Sequence, residues 1–169
     1  MNEINFTLRP FRKGDEPSLA ANISSKKIER YTQNIPYPYK IEHARQWVKR
    51  NIENDRKKEK AERNFVIDLD GQVIGSVGLS GIRGHRAEIG YWLAAEHWGC
   101  GITTAAVKMV TAYAFKELGL RRVYAYVAPA NKASSGVLKN GGYKYEGLIR
   151  KHGMKHGKPV DLLLFAKTR

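Results

Sequence analysis

The feature that most constrains the fold is a stretch from Thr103 to Glu117 that is apolar on most faces of a helix, with Lys108 and Lys116 as exceptions. A helix without a broad polar face does not lie on the surface and must be covered by other elements. The preceding residues, AEIGYWL (87–93), have the composition of a strand. We therefore expect the helix to lie buried against a sheet that includes this strand.

Further strands and helices are predicted on both sides of this unit. Asp70-Gly71 is a strong signal for a two-residue hairpin, because both central positions of a type I′ turn need positive φ. The predicted strands are FTLRPF (6–11), NFVIDL (64–69), QVIGSVGLSGI (72–82), RVYAYVA (122–128), GGYKYEGL (141–148) and VDLLLFAK (160–167), and the predicted helices are 13–22, 43–59 and 130–140. This order predicts a mixed α/β sheet with helices on both faces. No repeat or linker divides the chain, so we expect residues 1–169 to form a single domain.

The composition excludes several classes of protein. The one cysteine, Cys100, rules out an internal disulfide and a cysteine-rich metal site. No stretch reaches the roughly 18 apolar residues that a membrane-spanning helix needs. The first residues, MNEINFTLRPF, contain no apolar signal region. We therefore expect a cytoplasmic protein that does not bind membranes.

The formal charge of +14 is unevenly distributed. From Leu118 to the end of the chain, eleven Lys and Arg residues stand against only Glu146 and Asp161, a net charge of +9. Three interpretations remain open: a solvated surface, attraction of a polyanionic small ligand, and association with RNA or an RNA-rich particle.

The loop HWGCGITTAA (97–106) indicates an anion site. Gly99 and Gly101 lie between the strand and the apolar helix, where backbone N–H groups of a first helical turn have no partner inside the helix. Thr103 and Thr104 add hydroxyl groups at the same place. The loop is neither a P-loop nor a GxGxxG fingerprint, because it lacks the Lys-Ser/Thr pair of the first and the third glycine of the second. The pattern predicts a phosphate or pyrophosphate ligand.

Several motifs in order along the chain carry a resemblance to a known family. They are LRPF, AEIGYWL, WGCGITTAA, RVYAYV, Asn131-x-x-Ser134, GGYKYEGLIR and VDLLLFAK. Together they resemble the GNAT superfamily of N-acetyltransferases, and in particular its RimJ/RimL-like branch of ribosomal-protein N-terminal acetyltransferases. The resemblance implies a GNAT-like acyl-CoA N-acyltransferase fold of the α+β type, with a mostly antiparallel sheet of about seven strands. It also implies that acetyl-CoA is the co-substrate and that no metal is needed.

The same resemblance implies where acetyl-CoA binds. The strand 87–93 would diverge from the strand 122–127, and the pantetheine arm would enter the opening between them. The residues implied in cofactor binding are Trp92, Leu93, Trp98, Gly99, Cys100, Gly101, Ile102, Thr103, Thr104, Asn131 and Ser134. The branch usually has Gly or Ala near Thr103 and often Glu near Thr104, so this loop departs from the pattern locally.

The chemistry needs a base for the amine, a donor to the oxyanion and an acid for the thiolate. Glu88 is the candidate base, because the resemblance implies a carboxylate on this strand; a salt bridge to Arg86 or Arg83, or a simple surface position, is its alternative role. Ser134 is the candidate acid, with helix capping as its alternative, and Tyr143 is the second candidate acid, with core packing as its alternative.

The predicted oxyanion donor is a backbone N–H near Leu93 or Ala94. An acetylated Cys100 intermediate is disfavoured, because only His97 lies in a motif near it. The histidines of RKHGMKHGK (150–158) are predicted to lie in an exposed basic turn rather than to bind a metal, because glycines 153 and 157 disfavour a helix.

The acceptor is expected between the 34–40 loop, the helix that contains Trp47 and the last strands. Tyr37, Tyr39 and Trp47 could line this cleft or simply pack. The scarcity of acidic residues argues against a polycationic acceptor.

The sequence thus predicts an acetyl-CoA-dependent N-acetyltransferase that acts on a primary amine by direct attack in a ternary complex. A protein N-terminal α-amine of the ribosomal-protein type is the preferred acceptor, with the basic surface assisting approach to a ribosome or to RNA. The alternatives are a small-molecule amine or antibiotic acetyltransferase and a non-catalytic basic RNA- or ribosome-binding module. The oligomeric state stays open: the resemblance allows a homodimer, but the sequence shows no dimer face.

Overall fold

The computed structural model describes residues 5–59 and 61–169, which form one seven-stranded sheet in the order β1-β2-β3-β4-β5-β7-β6. The strands are β1 Thr7–Arg9, β2 Arg63–Leu69, β3 Gln72–Arg83, β4 Arg86–Leu93, β5 Arg122–Val127, β6 Lys144–Lys155 and β7 Lys158–Thr168. Every neighbouring pair is antiparallel except β4 and β5, which are parallel. The predicted mixed, mostly antiparallel sheet is confirmed.

Helices cover both faces of the sheet, as predicted. They are α1 Glu16–Ile23, α2 Lys26–Glu29, α3 Ile41–Asp55, α4 Ile102–Lys116 and α5 Lys132–Asn140. On one face α4 buries its apolar side chains, among them Val107 and Val110, in a core cluster with β3, β4 and β5. On the other face α1 and α3 bury Leu19 and Val48 against Val66 and Val73.

The β4–β5 pairing stops early. Only Arg86–Glu88 pair with Arg122–Tyr124, whereas β4 remains paired with β3 up to Leu93 and β5 remains paired with β7 up to Val127. The two strands therefore diverge beyond Glu88 and leave an opening in the middle of the sheet. The resemblance implied this divergence, and a single parallel pair inside an otherwise antiparallel sheet allows it.

Arg9 fastens the start of the chain to the sheet. Its guanidinium group donates to Asp15 at 2.7 and 2.9 Å and to Asp68 at 2.6 Å. Asp15 and Asp68 are both buried, and the Arg9 side chain is only 16% exposed. The group joins β1, the entry to α1 and β2. Its loss would leave Asp68 without its bonded cation and Asp15 with only the Arg12 guanidinium, at 3.9 Å.

The observed elements differ from the prediction in several places. The helix α3 ends at Asp55 rather than at 59, and α2 was not predicted at all. The strand β6 continues to Lys155, so the expected exposed turn over 150–158 is wrong. Only His156 and Gly157, both with positive φ, lie between the strands. Pairing with β7, including Gly153 with Val160, holds this glycine-containing segment extended.

No helix in the described part of the chain is long and apolar enough to cross a membrane.

Candidate active site

The loop before α4 has the backbone that an anion site needs. Gly99 and Gly101 have φ of +79° and +78°, in the left-handed region that favours glycine, and no atom lies within 4 Å of where a Cβ would stand on either. The first helical bond of α4 runs from the Ala105 N–H to the Gly101 carbonyl. The N–H groups of Ile102, Thr103 and Thr104 therefore have no acceptor within the helix. No side chain caps this end, and its first turn contains no acidic residue. This terminus can accept a phosphate group.

Trp98 fixes the loop to the end of β4. Its indole Nε1–H donates to the Leu93 carbonyl at 2.7 Å, while 45% of the side chain stays exposed. The loop thus starts at a defined distance from the opening between β4 and β5, so a ligand can contact the loop and the opening together.

The backbone at the end of β4 separates the two predicted oxyanion donors. The Ala94 N–H already donates to the Ile74 carbonyl at 2.8 Å, which excludes it. In an antiparallel ladder the peptide groups alternate between the two edges, so the neighbouring N–H of Leu93 is directed away from β3 and toward the opening. Of the two N–H groups, only that of Leu93 is therefore available to an oxyanion. Trp92, predicted to bind the cofactor, packs its side chain against the α1–α3 cluster, so a role in cofactor binding would fall to its backbone.

Cys100 is exposed, and its Sγ lies 3.6 Å from the Trp98 carbonyl oxygen. The nearby His97 has its Nε2 3.7 Å from Glu96. Among the described residues, no hydrogen bond joins Cys100 to a basic side chain.

Glu88 lies where β4 and β5 separate, on the face opposite α4. Its neighbours Ala87 and Ile89 are directed into the α4 core cluster, and strand alternation places Glu88 on the other side. Burial raises the pKa of Glu88, and the nearby His152 partly offsets this rise. No ion pair joins it to Arg83 or Arg86, which are both in the described part of the chain. Glu88 is a shielded carboxylate with free lone pairs, as a general base requires.

A row of rings extends from Glu88 across the sheet. Tyr124 lies opposite Glu88 on β5, and burial together with the Glu88 charge raises the pKa of its hydroxyl. The Tyr124 and Tyr126 rings are 5.7 Å apart, and the Tyr126 and His152 rings are 4.5 Å apart. Neither tyrosine was predicted as a site residue, and His152 was assigned to a turn. The alternation in RVYAYV, with its tyrosines on one face, was the signal that could have found them.

Ser134 lies across the opening and contacts Tyr91 of β4. The Ser134 Oγ is 2.8 Å from the Tyr91 hydroxyl oxygen, and its backbone N–H donates to Asn131 Oδ1 at 3.0 Å. Asn131 therefore caps α5, and Ser134 keeps its hydroxyl for another partner. Burial raises the pKa of Tyr91 to about 12, so this hydroxyl stays protonated at neutral pH. Tyr91 was not predicted, because an aromatic residue within an apolar strand is typical of a core position.

Tyr143 has a core position. It is 4% exposed, and its hydroxyl lies 2.6 Å from Thr111 Oγ1, which itself donates to the Val107 carbonyl. These contacts favour the alternative role of Tyr143, core packing, over that of the acid.

The side chains expected to line the acceptor cleft have different surroundings. Tyr39 and Trp47 pack against the α1–α3 cluster, and the Trp47 ring meets Phe11 edge to face. Tyr37 is 46% exposed, with the Lys26 ammonium group 5.7 Å from the centre of its ring. Only Tyr37 is left as a free aromatic surface among the three.

A cavity of about 540 Å³ lies between the end of α3, the start of β2 and Gly81, and it shares no residue with the opening or the glycine loop. Arg50, Asn54 and Glu62 in its lining bond to one another, so we do not place the site there. No cluster of potential metal ligands occurs among the described residues.

Comparison with known proteins agrees with this geometry. The model of the acetyltransferase (GNAT) domain family matches residues 5–144. The chain is 30% identical over 164 residues to the uncharacterized N-acetyltransferase p20 of Bacillus licheniformis, which covers 95% of this chain and 90% of the relative.

Solved structures give the same result. Mycobacterium smegmatis RimJ in complex with CoA-disulfide superposes with a TM-score of 0.83 at 30% identity, over 95% of this chain and 80% of that one. Spermidine N-acetyltransferase from Vibrio cholerae, in complex with CoA and spermine, superposes with a TM-score of 0.78 at 25% identity, over 96% and 95% of the two chains. From the family match, the diverging strands and the CoA-bound neighbours, we conclude that this chain belongs to the GNAT acetyltransferase family and is an acetyl-CoA-dependent N-acetyltransferase.

Proposed function

We propose that the enzyme acetylates the α-amine of a protein N-terminus by direct attack within a ternary complex. The observation that carries this proposal is the isolation of Glu88, one shielded carboxylate among Tyr124, Tyr126 and His152 at the point where β4 and β5 diverge. An α-amine brings one positive charge, which one carboxylate can balance. The 30% identity to RimJ supports the same choice.

The surrounding charges disfavour a polyamine. Spermidine carries several ammonium groups, and its recognition needs several free carboxylates. Glu29 is held by Lys155 and His156, and Asp161 accepts the Lys151 N–H at 2.8 Å. The carboxylates of the hairpin region are therefore engaged, and the net charge of +14 would repel a polycation.

The proposed chemistry starts with Glu88. An α-amine has a pKa of about 8, so about a tenth of it is already neutral at pH 7, whereas a lysine amine with a pKa near 10 is almost fully charged. A carboxylate whose pKa is raised by burial is a better proton acceptor for such an amine. Glu88 would take the proton directly or through one water as the nitrogen attacks the thioester carbonyl.

The remaining steps use groups on both sides of the opening. The Leu93 N–H would donate to the oxyanion that develops on the carbonyl oxygen. Ser134, hydrogen-bonded to Tyr91, would protonate the departing thiolate of CoA. The N–H groups from Gly99 to Thr104 would hold the pyrophosphate, since the Trp98 N–H already donates to the Ala95 carbonyl, and this would leave the thioester between Glu88 and Ser134.

The basic surface supports the choice of partner. The net charge of +9 after Leu118 would draw the enzyme toward an RNA-bearing particle, on which a ribosomal protein presents its N-terminus. We propose this association as the means by which the acceptor is brought to the enzyme.

The test is to incubate the enzyme with acetyl-CoA and a set of short peptides that differ in their first residue. Each peptide is supplied with a free and with a blocked N-terminus, and spermidine serves as the competing acceptor. We expect CoA release with free N-termini only, and mass spectrometry should locate the acetyl group on the α-nitrogen. Preferential turnover of spermidine, or of lysine side chains in blocked peptides, would refute the proposed acceptor.

A further inference from the structure

The β6–β7 hairpin extends beyond the rest of the sheet. The β5 strand pairs with β7 only from Leu163 to Thr168, so residues 158–162 of β7 and their β6 partners, Ile149–Lys155, have no third strand beside them. This distal half contains His152, whose ring lies against Tyr126 and whose proximity to Glu88 partly offsets the rise of the Glu88 pKa. The position of the distal half therefore determines the surroundings of the base.

Lys155, near the tip of this hairpin, is bound to a distant part of the chain. Its ammonium group donates to Glu29 Oε1 at 2.9 Å, to the Thr32 carbonyl at 2.7 Å and to the Glu29 carbonyl. An ammonium group has three N–H donors, so all of them are used. The partners lie 123 and 126 residues earlier in sequence, at the end of α2 and in the segment that follows it.

Two further contacts support the same junction. His156 places its Nε2 3.0 Å from Glu29 Oε1, next to the Lys155 contact. Gln33 packs over Gly153, where a Cβ would come within 2.8 Å of Gln33 Nε2 and 2.9 Å of Leu162 Cδ1. The absence of a side chain at 153 thus lets the segment after α2 lie directly on the hairpin.

We propose that Lys155 is a positioning residue for the acceptor side of the reaction. By binding Glu29 and the Thr32 carbonyl, Lys155 keeps His152 against Tyr126. It also fixes the distance between the hairpin and the 30–40 segment. This inference rests on the acceptor site proposed above.

An ordinary surface ion pair does not account for the contacts of Lys155. An exposed ion pair contributes little and leaves both side chains mobile, whereas Lys155 and Glu29 are each 21% exposed and Lys155 binds two backbone carbonyls as well. Arginine, with its planar guanidinium group, cannot reproduce three bonds from one compact centre.

The chain offers a matched control. Lys158 pairs with Lys155 across the hairpin, and it is exposed. Lys158→Met removes the same charge from the same hairpin without touching the junction. We expect Lys155→Met to raise KM for the acceptor about tenfold, because small displacements of a positioned acceptor have large effects. KM for acetyl-CoA should stay within about twofold, and Lys155→Arg should fall between wild type and Lys155→Met.

Hydrogen exchange provides the structural readout. In Lys155→Met, exchange should accelerate in residues 29–33 and 149–156 and stay unchanged in α4, whereas Lys158→Met should match wild type. Faster exchange with unchanged acceptor kinetics, or an equal loss toward acceptor and acetyl-CoA, would overturn the proposal. The kinetics use any primary amine that the wild type acetylates. If that amine is not a protein N-terminus, the proposed function fails while the role of Lys155 is still tested.

Discussion

Replacing Gly101 by alanine separates backbone strain from cofactor binding. Gly101 has a φ of +78°, and Gly71, in the turn between β2 and β3, has a φ of +81°. At both positions no atom lies within 4 Å of where a Cβ would stand, so alanine meets no steric clash at either site in the unliganded protein. Placing a Cβ on a left-handed residue costs about 1–2 kcal/mol. Both variants should therefore lose the same stability, a Tm decrease of about 2–8 °C for a chain of this length.

The two variants should differ in their affinity for acetyl-CoA. The Cβ of an alanine at position 101 would stand where the pyrophosphate approaches the first turn of α4, whereas Gly71 is in a remote hairpin. Loss of one hydrogen bond to a charged group is worth about 1.5–3 kcal/mol, which is a roughly 10- to 150-fold weaker Kd. Isothermal titration of both variants and wild type with acetyl-CoA, with dephospho-CoA as a control ligand, measures this difference.

Equally tight binding of acetyl-CoA by Gly101→Ala and Gly71→Ala would refute this expectation. That result would mean that the loop before α4 does not hold the pyrophosphate. A Tm decrease much larger for Gly101→Ala than for Gly71→Ala would show instead that the loop matters for folding beyond its φ.

Three other substitutions test contacts described above. Glu88→Gln should lower kcat/KM about 10²- to 10⁴-fold. Because burial raises the Glu88 pKa, the ionised side chain destabilises the fold at pH 7, so this variant should be at least as stable as wild type there and lose that advantage below about pH 4. A Tm lower than that of wild type at pH 7 would contradict this stability argument. Tyr91→Phe should lower kcat about tenfold or more with KM for acetyl-CoA nearly unchanged, since it removes the hydroxyl partner of Ser134; unchanged kcat in steady-state assays would exclude the pair. Arg9→Met should lower the free energy of unfolding by about 3 kcal/mol, which is a Tm decrease of about 6–12 °C. Because Arg9 lowers the Asp68 pKa despite the burial of that carboxyl, the difference from wild type should shrink as the pH falls below about 4. A difference in Tm that does not change with pH would count against the ion-pair explanation.

Local signals predicted most of the sheet. Asp70 and Gly71 both have positive φ, as the hairpin prediction required, and α4 is buried as its apolar sequence demanded. The end of β6 was mispredicted because Gly153 and Gly157 suggested a turn over 150–158, although Gly147 was already placed within the strand. In the structure Gly147 and Gly153 lie at irregularities of a ladder that β7 sustains, and a partner strand is not visible in a local window.

The candidate site was predicted unevenly for the same physical reason. The glycine loop directly precedes α4, and Ser134 lies in the first turn of α5. Because each is close in sequence to the helix that positions it, local patterns and the family resemblance located both. The face of the sheet on which Glu88 lies depends on how β4 packs against α4. The Lys155 contacts join residues more than 120 positions apart in sequence. Both features are set by tertiary packing, so the residues next to Glu88 and Lys155 in the sequence do not indicate them.

The divergence of β4 and β5 gives this protein an internal strand edge. From Ile89 to the Leu93 N–H, the peptide groups on one side of β4 face a gap, whereas the Leu93 carbonyl is already bonded to Trp98. Such an edge is open to water or to an extended chain. The pantetheine arm, with its two amides, would fill the gap as a substitute strand, so the co-substrate would also complete the sheet. At about 100 times its Kd, acetyl-CoA adds about 2.7 kcal/mol to the stability of the fold. The lifetime of the enzyme would then follow the supply of acetyl-CoA, and depletion would expose the edge to aggregation and proteolysis.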